Sequence, residues 1–123
     1  MAMNTPEGTA LFHVTRTEML EHLTKRAEHH AARNAKYVME AKKLEEELKA
    51  SIDEVDSVSE RMSVKSSSNY SNGAHERDRK LGQAREHARL SSKFFFLAKH
   101  LPAQGSAFEL TSGELGGLEF FVE

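Results

Sequence analysis

The sequence contains no cysteine, which excludes disulfides, thiolate metal sites and a cysteine nucleophile. It contains no long apolar run. The longest unbroken stretches are four or five residues, against the roughly 20 that a helix needs to cross a bilayer. No basic region followed by an apolar stretch opens the chain, so no secretory signal is read, and a soluble cytoplasmic protein is expected. Charge of one sign is lacking too: 17 Lys and Arg stand against 19 Asp and Glu, a net of −2. A global basic field that would gather nucleic acid without specificity is therefore absent. Phosphate-loop, Gly-x-Ser-x-Gly and dinucleotide fingerprints are all missing, so no enzyme class is indicated and no cofactor is expected. There is no internal repeat.

What is present is globular in composition: 123 residues, 38% hydrophobic and 29% charged, enough for one domain, residues 1–123, with one modest core. The two prolines are Pro6 and Pro102, and the first glycine after Gly8 is Gly73. A breaker-free interval of that length is most simply explained by a long helix. The chain then reads as a short lead and long first helix within 10–64, a Ser/Asn-rich connection at 65–73, a second helix at 74–101, and a tail at 102–123.

The first helix has a readable start. Thr15 and Glu18 fit a capping box, and Val14 with Met19 fits a hydrophobic staple. From Leu20 a 3-4 spacing runs through Leu23, Ala27, His30, Asn34, Tyr37, Ala41, Leu44, Leu48, Ser51, Val55, Val58 and Met62. This register predicts continuous helix from about 16 to 62, roughly 70 Å at 1.5 Å per residue. His30 and Asn34 fall on its seam, where buried polar groups can fix register, or where a histidine can act as a pH switch. In the second helix the stripes Leu81-Ala84-Ala88-Ser91-Phe95-Ala98 and Leu90-Phe94-Leu97-Leu101 widen the apolar face toward its end.

The short connection makes the two helices antiparallel neighbours. Charge agrees: residues 41–62 carry four basic and seven acidic side chains, whereas 63–101 carry eight basic and three acidic. The expected fold is all-α, an antiparallel hairpin of long, coiled-coil-like helices with a small C-terminal tail. With helices of about 47 and 27 residues, the first twenty residues or so of the first helix lack a partner from the second. A homodimer completing a four-helix bundle, or a higher homo-oligomer, would cover them. In the tail, Phe108 and Leu110 are strand-like, Thr111 and Glu114 fit a second capping box, Gly116-Gly117 ends the short helix, and Leu118, Phe120, Phe121 and Val122 make an apolar end. Leu11 to Val14 is also strand-like and is a candidate to pair with this tail.

Three functional readings follow. The leading one is a non-catalytic protein-interaction or adaptor module that binds another protein. Its proposed contacts are Leu20, Leu23, Ala27, Phe94, Phe96, Phe120 and Phe121, because Phe94-Phe95-Phe96 spans nearly the whole helix circumference and only two of the three can enter a core. The second is nucleic-acid binding through the one-turn ladder Arg85-Arg89-Lys93, interrupted by Glu86. The third is a metal-binding helical bundle using Glu18, His22 and His29. The seven histidines invite that idea, but no Glu-x-x-His or His-Glu-x-x-His spacing supports it. Membrane association is not expected, since neither helix joins a clean apolar face to a lysine-rich one.

Overall fold

A computed structural model describes residues 10–55, 57–102 and 107–121. The N-terminal lead and Val122 lie outside these described residues. The elements are β1 (Leu11–Thr15), α1 (Arg16–Asp53), α2 (Val58–Lys65), α3 (Ser68–Lys99), β2 (Ala107–Thr111) and α4 (Ser112–Gly117). Long helices α1 and α3 pack antiparallel, so the fold is a mainly all-α helical hairpin with a small two-stranded sheet. No described helix is long and apolar enough to cross a membrane.

The start of α1 forms for the reason read from sequence. The Thr15 N–H donates to Glu18 Oε1 (2.9 Å), and the Glu18 N–H donates to Thr15 Oγ1 (3.1 Å). Two of the amides that a helix start leaves free are thereby satisfied. β1 and β2 pair antiparallel with Phe12 opposite Leu110 and Val14 opposite Phe108, as the alternating tail residues suggested. Thr111 caps α4 with a complete capping box to Glu114.

The end of the first helix differs from the sequence reading. α1 stops at Asp53, not near residue 62. Ser57 then caps a separate helix, its hydroxyl accepting from the Glu60 N–H at 3.0 Å, and α2 buries none of its residues. Val58 and Met62, two positions of the extrapolated register, are exposed. The supposed connection at 65–73 also differs. Its chain reversal occupies Ser66 and Ser67, and Ser68 through Gly73 already belong to α3, with Ser67 Oγ accepting from the Tyr70 N–H. The helices are therefore 38 and 32 residues long. The expected twenty-residue overhang of the first helix does not exist.

The chain divides into two compact units: unit 1 contains residues up to His29 and from Ser91 onward, and unit 2 contains His30–Leu90. The core of unit 1 is Val14, Met19, Leu23, Ala27, Phe94 and Leu115, with Leu97, Leu101, Phe108 and Leu110 packed against it. Ser91 donates its hydroxyl to the Ala27 carbonyl at 3.0 Å, tying α3 to α1 within this unit. The start of α1 is thus covered by the end of α3 and by the tail. In unit 2 the buried positions are His30, Ala41, Leu48 and Ala84.

Candidate interaction surface

In unit 1 the tail is clamped by two side chains one turn apart on α1. The His22 Nε2–H donates to the Leu118 carbonyl at 2.7 Å, and the His22 ring stacks on Phe120 with centroids 3.6 Å apart and 16° between planes. Arg26 reaches Glu119 Oε1 through Nε (2.8 Å) and Nη2 (2.7 Å), and both side chains are largely withdrawn from solvent. The receiving segment is a Schellman turn: Phe120 N–H bonds to the Leu115 carbonyl and Glu119 N–H to the Gly116 carbonyl. Its left-handed position is held by Glu119, with φ 62°, where glycine is usual. Arg16 Nε adds a bond to the Pro102 carbonyl at 2.8 Å.

This clamp reassigns the residues of the metal reading. Glu18 is spent on the helix cap, and its carboxyl sits below the usual carboxylate range mainly because the Thr15 backbone N–H donates to it. His22 is spent on the tail. Among the described residues no group of three His, Cys, Asp or Glu side chains could hold a metal ion.

The proposed contact residues separate into two sets. Leu23, Ala27 and Phe94 are core residues of unit 1 and offer no surface to a partner. Leu20 is half-buried, and Phe120 lies half-buried under the His22 ring. Phe96 and Phe121 are open, 61% and 63% exposed. Of the triple phenylalanine only Phe94 enters the core, not two of the three, and Phe95 stays outside with Phe96. Leu11 and Phe12 on β1, absent from the sequence-derived set, are also exposed. Their strand alternates, with Val14 buried and Phe12 left nearer the sheet end, and that alternation was readable without identifying which end would stay uncovered.

Unit 1 also holds a small apolar cleft of about 250 Å³, lined by Met19, Leu23, Leu97, Leu101, Phe108 and Leu110. Small-molecule pockets usually start near 300 Å³. A cleft of this size suits one anchoring side chain of a protein partner better than a cofactor.

The basic ladder of the nucleic-acid reading is partly engaged. Arg89 forms a two-pronged ion pair with Glu86, which holds the Glu86 carboxyl below its ordinary range. The Lys93 ammonium lies 5.4 Å from the centre of the Phe94 ring. Arg85 is exposed. The pair Arg79–Glu76 and the pair Lys80–Glu40, the latter joining α3 to α1 at 2.7 Å, spend further cations on carboxylates. Asn34 is half-buried and His30 is buried, the latter against His87, a partner that nothing in the sequence marked. Comparison with protein families, with curated proteins and with solved structures finds no match.

Proposed function

We propose that this chain is a non-catalytic helical protein-interaction module that docks a partner protein, a second copy included, through the apolar surface of unit 1. The observation that carries the reading is the set of large apolar side chains that stay exposed after the tail has folded back: Leu11, Phe12, Phe95, Phe96 and Phe121. Leaving such groups in water forfeits roughly 1.5–3 kcal/mol each relative to burial. Aromatic side chains are also the residue type enriched where binding energy concentrates. The nearby cleft offers an anchor point for the same partner. The uncovered start of the first helix, which had also favoured oligomerisation in the sequence, no longer contributes, because α3 and the tail cover it.

The test is mass by light scattering together with the variant pair Phe96→Asp and Phe121→Asp. Both side chains are exposed, so the folded monomer should tolerate the change. The expected result is an assembly heavier than one chain, which either substitution dissociates at unchanged helix content. A monodisperse monomer at high concentration, indifferent to both substitutions, together with no partner lost from capture experiments with the variants, overturns the reading. The nucleic-acid alternative predicts binding that weakens steeply with salt and depends on Arg85, and no shift with any nucleic acid ends it.

A further inference from the structure

In unit 2 two histidines face each other between the long helices. His30 Nδ1 on α1 and His87 Nδ1 on α3 are 2.8 Å apart, with ring centroids at 5.0 Å and 30° between planes. His30 is only 4% exposed. Tyr37, two turns along α1, stacks on His87 at 5.5 Å and 19°. The Lys80 ammonium sits 5.2 Å from the Tyr37 ring centre and is bound by Glu40. Glu86, beside His87 on α3, is held by Arg89.

A contact between two Nδ1 atoms requires one N–H and one lone pair. Two neutral imidazoles meet that requirement when one carries its proton on Nδ1 and the other on Nε2. A single added proton keeps the geometry and strengthens it by charge assistance. A second added proton puts two N–H groups and two like charges face to face at contact distance. The surrounding ions do not relieve this state. Lys80 and Arg89 add positive charge, and the carboxylates of Glu40 and Glu86 are already engaged by them.

We propose that the His30–His87 pair is an acid-sensitive latch that fastens α1 to α3 in unit 2 while the pair carries at most one extra proton, and lets go when both rings are charged. The stability it supplies is present at neutral pH and is lost as the pH falls. The carboxyls of Glu40, Glu76 and Glu86 are held below their usual range chiefly by Lys80, Arg79 and Arg89 respectively, so they keep their charge down to about pH 5. A loss between about pH 7 and about pH 5 therefore comes from histidine.

The remaining histidines titrate in the same window, so the test is a difference between chains. Thermal melting of the wild type should fall between these two pH values by roughly 4 °C more than that of the double variant His30→Phe/His87→Phe, which keeps two rings at the seam and removes the titration. Parallel falls in the two chains overturn the proposal. Imidazole nitrogen NMR on the wild type decides the matter even if the double variant does not fold. At neutral pH one of the two rings should be the Nδ1–H tautomer and the other the Nε2–H tautomer. Acid should shift both together and remove amide-exchange protection around residues 30 and 87. Two Nε2–H rings that titrate independently, with protection intact, sink it.

Discussion

Units 1 and 2 use the same two helices with different packing material. In unit 1 the hairpin of α1 and α3 is backed by a sheet and a capped tail helix, and its buried set includes Met19, Leu23, Phe94 and Leu115. In unit 2 the two helices have no comparable third layer: α2 buries nothing, and the buried apolar set is Ala41, Leu48 and Ala84. A pair of helices without a covering layer can dehydrate only a narrow seam. Small alanines suit that seam, and directional contacts supply what area cannot: the histidine pair, the Tyr37 stack and the Lys80–Glu40 bridge. Area stabilises without specifying, whereas polar contacts specify while stabilising little and respond to pH. The sticky surface and the acid-sensitive contact therefore belong to different units for a physical reason.

The largest effect should come from emptying the richer core. Phe94 is fully buried, so Phe94→Ala should cost about 3–5 kcal/mol through lost transfer energy and the cavity left behind. In unit 2 the corresponding change is Leu48→Ala, at about 2–3 kcal/mol, because Leu48 lies beside an open groove with Leu44, Val64 and Tyr70 into which neighbours can relax. Chemical denaturation measures both. Equal losses would mean that the seam of unit 2 packs as a true core. Amide exchange gives the same comparison without mutation, since the helical amides of unit 2 should exchange faster than those of unit 1 at equal temperature.

Much of the contrast was legible in the sequence where local chemistry decides. The Thr15 and Thr111 capping boxes and the alternation of the β1 and β2 residues are short-range signals, and each formed the element it implied. The end of the first helix was misread because a heptad register is blind to chain direction. Val55, Val58 and Met62 continue the period after the helix has stopped. The signal that could have corrected it is Ser57-x-x-Glu60, the same type of capping pattern recognised at Thr15. Ser68 to Asn72 was read as connection on intrinsic preference, and the packing of α3 overrode it, with Gly73 lying against Leu48. The two contacts that matter most, His30 with His87 and Arg26 with Glu119, join residues 57 and 93 positions apart. Their partners follow from the register of the folded helices and tail, which no local spacing encodes.

The tail clamp sharpens the comparison at intermediate size. Arg26→Ala leaves the largely covered Glu119 carboxylate without its two-pronged donor and should cost about 1.5–3 kcal/mol by chemical denaturation. Glu119→Gly removes the same pair but relieves a left-handed backbone position that costs an ordinary residue about 1–2 kcal/mol. It should therefore be clearly milder than Glu119→Ala, which loses the pair and keeps the strain. If the glycine and alanine variants lose equal stability, the turn is not strained. If both are harmless, the clamp holds nothing and the tail rests on apolar burial alone.

The smallest effect separates two glycines within α3 of unit 2. A methyl group added at Gly82 meets nothing within 4 Å, so Gly82→Ala exchanges backbone freedom for helix preference and should stabilise by about 0.5–1 kcal/mol, a rise of a few degrees in melting temperature. At Gly73 the added carbon would stand 2.9 Å from Leu48 Cδ2. That methyl group belongs to a flexible side chain, but Leu48 is among the few buried residues of this thin seam and has little room to swing. Gly73→Ala should therefore gain the same helix preference and lose it again to crowding, with a net change near zero. A Gly73→Ala chain as stabilised as the Gly82→Ala chain would show that the seam of unit 2 yields even where it looks tightest. Its fastening would then rest on the polar contacts and hardly at all on the fit of Leu48.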